Sequence, residues 1–170
     1  MATTHKQIAA PPERVWAVLA DPDNYAHWVV GSRDVRDADP TFPAEGASFG
    51  HTFAFGPIDL RDETEVVESD APRRLVLHVK ARPLGRGTVE LDLAAVGDGT
   101  HVTMHEGPAS PVARLFYNPL MDLVLHGRNV EALRRLAALV EGRHPEPQTS
   151  RNAGHDAGDG EDGPAVGPER

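Results

Sequence analysis

Three titratable side chains interrupt rows of residues that are otherwise apolar: His51, Asp62 and Glu106. Phe49, His51, Phe53 and Phe55 recur at every second position. Beyond Gly56-Pro57, Ile58, Leu60, Asp62, Thr64 and Val66 do the same. A period of two is that of a strand with one covered face. Gly followed by Pro suits the central positions of a type II′ hairpin turn. That turn pairs Phe55 with Ile58, Phe53 with Leu60 and His51 with Asp62, placing the imidazole and the carboxylate together on the inner face. A carboxylate beside an imidazole stabilises the imidazolium and raises its pKa, and the two can form an acid/base dyad. A structural ion pair at a wet rim fits the same spacing.

A second hairpin signal, Asp98-Gly99, pairs Ala95 with Val102, Leu93 with Met104 and Leu91 with Glu106. Glu106 then shares a face with Val102 and Met104. A carboxyl among aliphatic side chains resists ionisation and can act as a general acid. Alternatively, the neighbouring Gly107-Pro108 marks a strand end where Glu106 reaches water. Further on, His126 and Asn129 stand about one helical turn before Val130 and Leu133. They either offer hydrogen bonds to the polar end of a bound molecule or flank a helix in water.

Other chemistries find no support. His101 and His105 are four residues apart on one strand face, about 13 Å, too far to share a metal ion. No His-Glu-x-x-His or Gly-x-Ser-x-Gly occurs, and there is no cysteine. Gly85-Arg86-Gly87 joins two strands and does not lead into a helix, as a phosphate cradle would. Neither metal nor cofactor is expected.

The elements that must position these residues are legible in order. Thr3 to Ala9 reads as a strand. Ala10-Pro11-Pro12-Glu13 opens a helix whose apolar stripe is Val15, Trp16, Val18 and Leu19. Asp21-Pro22 starts a second short helix through Tyr25 to Trp28. From Ser32 to Gly107 the period is two; Leu75, Leu77, Val79 and Ala81 form one row, and Val89, Leu91 and Leu93 another. A long helix follows, capped by Ser110-Pro111, kinked or restarted at Asn118-Pro119 and stopped by Gly142. Val130, Leu133, Leu136, Ala137 and Val140 lie along one side of it. Trp16, Phe116 and Tyr117 read as core.

The 170 residues suffice for one domain with a sizeable core. An apolar fraction of 39% and a charged fraction of 25% are those of a soluble globular chain. A net charge of −9 argues against nucleic acid and against a polybasic membrane dock. With no apolar run of about 20 residues and no signal-like start, the expected setting is the cytoplasm without integral membrane association. After Gly142 the composition changes: the apolar residues of 143–170 are Ala153, Ala157, Ala165 and Val166. The expectation is a folded domain over 1–142 and a disordered acidic tail over 143–170.

The order of elements resembles the SRPBCC superfamily, which includes START-type lipid carriers and polyketide cyclase/dehydrase-like proteins. Six stretches carry the likeness: Ala10 to Trp16, Asp21 to Trp28, Glu65-Val66-Val67-Glu68, Pro72-Arg73-Arg74-Leu75, Gly99 to Met104 and Arg128 to Glu141. It implies an α+β helix-grip fold, a curved antiparallel sheet of about seven strands around a long C-terminal helix, with two short helices after the first strand. It also implies a cavity between sheet and helix. No universal catalytic motif comes with the family, and fold alone does not name a function.

The expected ligand is therefore an apolar or amphipathic small molecule: lipid-, isoprenoid- or polyketide-like. The expected wall consists of Trp28, Phe53, Leu60, Thr64, Leu77, Val79, Leu91, Leu93, Met104, Leu120, Leu123, His126, Asn129 and Val130. One alternative is a cyclase or dehydratase that moves protons through His51, Asp62 or Glu106. Another is a regulatory protein whose tail or strand edge meets a protein partner, of unknown identity.

Overall fold

A computed structural model describes residues 2–55, 58–81, 85–109 and 119–143, with backbone alone for 53–55, 58–60, 81 and 119–121. The Gly56-Pro57 turn, the Ser110-Pro111 cap, Asn118, Phe116, Tyr117 and the tail from 144 lie outside the described residues.

The elements run β1 (Ala2–Ile8), α1 (Pro12–Leu19), a single 3₁₀ turn (Pro22–Asn24), α2 (Tyr25–Trp28), β2 (Ser32–Arg36), β3 (Ser48–Phe55), β4 (Ile58–Asp70), β5 (Arg74–Ala81), β6 (Gly85–Val96), β7 (Gly99–Pro108) and α3 (Pro119–Val140). The strands form one antiparallel sheet in the order β1-β7-β6-β5-β4-β3-β2. Only β1 is out of chain order, laid beside β7. The whole is the α+β helix-grip fold, its curved open sheet facing α3.

Local chemistry accounts for the short helices. Pro12 stands in the first turn of α1, where its missing N–H costs nothing, and Val15 and Leu19, one turn apart, are fully buried. Asp21 caps the next turn by accepting from the Asp23 amide at 3.0 Å. Tyr25 then anchors α2: its hydroxyl donates to the Leu19 carbonyl at 3.0 Å, and its ring packs on Trp28, Phe42 and Phe49. Those aromatic contacts tie α2 to the start of β3.

The β3–β4 register is the expected one, with Phe55 opposite Ile58, Phe53 opposite Leu60 and His51 opposite Asp62. The β6–β7 register is not. Leu93 faces Val102, Leu91 faces Met104 and Val89 faces Glu106, because the two-residue turn is Gly97-Asp98. Gly97 has φ +59°, as the first central position of a II′ turn requires. Gly99 serves a different purpose: a Cβ there would sit 2.6 Å from the Ile8 carbonyl oxygen, so its smallness lets β1 approach. Since partners move by two residues, every side chain keeps its face. A smaller correction concerns Gly85-Arg86-Gly87, which lies within β6 rather than between strands.

On α3 the buried stripe is Asn129, Ala132, Leu133, Leu136, Ala137 and Val140. Val130, expected on that stripe, is 48% exposed. It stands about 100° round the helix from Asn129, at the margin. Gly142, with φ +71°, ends the helix: the Gly142 and Arg143 amides return to the Leu139 and Ala138 carbonyls at 3.2 and 2.8 Å. The helix packs on β1, α1 and α2, and one apolar cluster joins Leu133 and Leu136 to Leu75 and Leu91 of the middle strands.

Candidate functional site

His51 projects from β3 into the core and is 3% exposed. Its Nδ1 lies 3.3 Å from Thr64 Oγ1, and Phe49 meets the ring edge-on at 5.6 Å. Burial pushes the imidazole down to about 4; the positive charges of Arg36 and Arg128 push the same way, and Asp34 opposes them. His51 is therefore neutral at pH 7. Asp62 is opposite it across the ladder and buried, as the register requires. The shift runs opposite to the expected rise, because desolvation, with Arg36 and Arg128 acting the same way, outweighs the carboxylate of Asp34.

Glu106 is paired through Oε1 with Arg128 Nη1 at 3.1 Å, its side chain 13% exposed. An ion pair, rather than purely aliphatic neighbours, defines its setting. Arg128 also donates from Nε to the Val30 carbonyl at 3.3 Å. One guanidinium thus joins α3 to β7 and to the segment that leads from α2 into β2. On the three segments that Arg128 joins, within two residues of its contacts, are several polar atoms that are shut off from solvent and have no hydrogen-bond partner: Trp28 Nε1, Ser32 Oγ, Glu106 Oε2 and both amide atoms of Asn129. Leaving a buried donor or acceptor unsatisfied costs about 1–3 kcal/mol. Most buried polar groups in folded proteins are satisfied.

The remaining wall residues divide. Thr64, Leu77, Leu91, Leu93 and Met104 are buried, and Val79 packs partly buried against the core. Leu123, at 67% exposure, and Val130 face outward on α3. His126 is exposed, with Nδ1 3.4 Å from Thr4 Oγ1 on β1. The side chains of Phe53, Leu60 and Leu120 are outside the described residues.

Two outer features complete the inventory. A cleft of about 260 Å³ beside β3 and β4 is lined by Arg36, Asp37, Ser48, Gly50, Arg61, Asp62 and Glu63. On the outer side of β1 and β7, His5 stacks on His101 at 5.4 Å, and His105 meets Thr3 at 2.9 Å. Among the described residues no group of three His, Cys, Asp or Glu is arranged to hold a metal.

Arg128 and Ser32 are the members that sequence reasoning missed. The partners Arg128 and Glu106 are 22 residues apart on different elements, and no periodicity links them. An arginine among alternating charges on a helix reads as solvated, so no local signal marks it.

The chain belongs to the family described as polyketide cyclase/dehydrase and lipid transport, whose model matches residues 2–141. Solved structures agree on the fold. A protein of Mesorhizobium loti is 19% identical with a TM-score of 0.63, over 85% of this chain and 98% of its own. CalU16 of Micromonospora echinospora is 21% identical with a TM-score of 0.57, over 85% of this chain and 76% of its own. DynU16, a protein in the dynemicin biosynthetic locus, is 20% identical with a TM-score of 0.61; the match takes in 82% of this chain but 46% of DynU16. None of the curated proteins searched matches the chain. No helix among the described residues is long and apolar enough to cross a membrane.

Proposed function

We propose that residues 1–142 form a domain that holds an apolar or amphipathic small molecule, lipid-, isoprenoid- or polyketide-like, between the inner face of the sheet and α3. The reading is supported above all by Asn129: an amide 1% exposed, with neither end hydrogen-bonded, beside an inner face that is otherwise largely apolar. Binding sites of this kind combine apolar walls with a few polar groups that orient the guest. The family description, which joins lipid transport to cyclase chemistry, agrees with it. In this proposal the domain works in the cytoplasm and the segment 143–170 is an appendix to it. Native mass spectrometry of the protein isolated from its own cells tests the reading. The expected result is a copurifying neutral or amphipathic molecule at one per chain. A bare chain that also fails to take up Nile red, with no blue shift of the dye, rejects it.

A second reading, catalysis of cyclisation or dehydration, is favoured by one observation. His51 is buried and uncharged at neutral pH, so an imidazole nitrogen can accept a hydrogen bond from a substrate hydroxyl, although the burial that pushes its pKa down to about 4 makes it a weak base. The likeness to DynU16 from a biosynthetic locus points the same way. In this reading Asp62 and Glu106 are the further proton-handling groups. Incubation with a poly-β-carbonyl thioester distinguishes the two. Loss of water that disappears in His51→Phe while the probe still binds favours catalysis; unaltered probe favours carriage.

A further inference from the structure

Arg128 brings three segments together: the 28–32 stretch through the Val30 carbonyl, β7 through Glu106, and α3 itself. Every unpartnered polar atom described above lies on these segments, within two residues of one of the contacts. Together they comprise an indole N–H, a hydroxyl, a carboxamide that both donates and accepts, and a carboxylate oxygen that accepts. Trp28 and Asn129 are 2% and 1% exposed, so neither is satisfied by solvent. Trp28 lies in the aromatic cluster with Tyr25, and Asn129 is on the buried stripe of α3. Both are therefore built into the fold rather than left at a surface.

Resting on the binding reading above, we propose that this junction is the polar subsite of the ligand site, and that it recognises an uncharged group able to donate and accept at once, a phenol-, enol- or alcohol-type hydroxyl. The complement decides the class. Indole N–H and carboxamide N–H supply donors to the hydroxyl oxygen. Glu106 Oε2 and Asn129 Oδ1 supply acceptors for its hydrogen. A carboxylate or phosphate head would satisfy the donors but meet the Glu106 oxygen, and a plain hydrocarbon would leave every one of these atoms unsatisfied. Sites built to hydrogen-bond a hydroxyl discriminate strongly against the analogue that lacks it.

Equilibrium dialysis of the full chain against naphthalene, 2-naphthol and 2-naphthoate tests this. The three share one ring system and differ in the polar group. A merely apolar site prefers naphthalene, because a hydroxyl entering it loses water without replacement. The expected result is 2-naphthol bound at least about tenfold more tightly than naphthalene or 2-naphthoate. Asn129→Leu and Trp28→Phe should each reduce that preference severalfold, read within each variant as the ratio of 2-naphthol to naphthalene affinity. The two variants are on different helices, so the test does not depend on both folding. Equal retention of naphthalene and 2-naphthol by the wild-type protein overturns the subsite but leaves the binding reading standing. A preference that survives both substitutions also overturns it. If neither probe is retained, the binding reading falls and the subsite with it.

Discussion

Arg74 and Arg128 each join separate elements, yet their surroundings differ. On the outer face Arg74 meets Glu68, Glu90 and Asp92 at 3.2, 3.0 and 2.7 Å, and toward the other end of β5 Lys80 meets Glu63 at 2.7 Å. Water covers whatever those pairs leave over. At Arg128 the pairing with Glu106 leaves one carboxylate oxygen buried without a partner, and an asparagine beside it in sequence has none either. Exposed ion pairs contribute little and cost little. Buried polar atoms without partners cost the fold directly. A chain that satisfies its surface while tolerating such atoms inside has put them where stability is not their purpose.

The contrast between inside and outside can be broken first at β5. Leu77 is 2% exposed and faces the core, whereas His78 is on the other face opposite Glu65. Leu77→Arg should abolish cooperative folding, while His78→Arg should change stability by less than about 1 kcal/mol. Thermal unfolding followed by circular dichroism reads both, and similar tolerance of the two would refute the face assignment.

Acid is the next largest lever. The folded His51 holds its proton only below about 4, and an unfolded histidine holds it below about 6.5. Between those values the unfolded state binds more protons. Stability is therefore full above pH 6.5, declines as pH falls toward 4, and loses nothing further to this group below that. The loss is on the order of 3 kcal/mol by linkage. Arg36 and Arg128 add to the burial effect and Asp34 opposes it, with Asp62 across the ladder. Urea unfolding at pH 7, 5.5 and 4.5 should show the decline, and His51→Gln should flatten it. Parallel declines in both proteins would mean that other groups carry the acid sensitivity.

Smaller effects sharpen the comparison of the two arginines. Glu106→Ala should cost about 2–3 kcal/mol, because it leaves a partly buried guanidinium without its carboxylate. Arg74→Ala should cost about 1 kcal/mol or less, and less still in high salt. Asn129→Leu should carry the opposite sign and raise the melting temperature by a few degrees, since it removes two unsatisfied groups and adds apolar contact. Differential scanning calorimetry orders all three, and a destabilised Asn129→Leu would reveal a structural role for that amide.

Much of this was readable from residue order alone, for identifiable reasons. Alternation assigned the inner and outer faces of the strands, and Gly56-Pro57 led to the observed β3–β4 pairing. Val96-Gly97-Asp98-Gly99 was ambiguous, because either glycine can serve a tight turn. Gly97 takes that role, and the demand on Gly99 comes from Ile8, some ninety residues earlier, which local pattern cannot register. The facing of His51 and Asp62 was legible while the charge state was not, since desolvation depends on everything packed around the ring. Asn129 was recognisable as a hydrogen-bonding group in a helical stripe. Its lack of partners, and the link from Arg128 to Glu106, exist only in three dimensions.

The far end of α3 is held differently from its middle. Glu141 accepts the Ala9 amide at 2.9 Å, and Thr100, fully buried, donates to the Ala10 carbonyl at 2.7 Å. The link from β1 to α1 is thus fastened to both α3 and β7, close to where Gly99 lets two backbones nearly touch. In mechanical terms the 22-residue helix is a lever about 33 Å long with its pivot at the C-terminal end. Arg128 lies 13 residues from Glu141, a radius of about 20 Å. A tilt of about 5° about that pivot displaces the Arg128 turn by roughly 1.7 Å, enough to break or form a hydrogen bond whose useful range is only about half an ångström. The same tilt barely moves Val140 in its packing. A guest lodged beside Asn129 would thus be felt as a change of angle, read out at the Arg128 turn and not at the fastened C-terminal one.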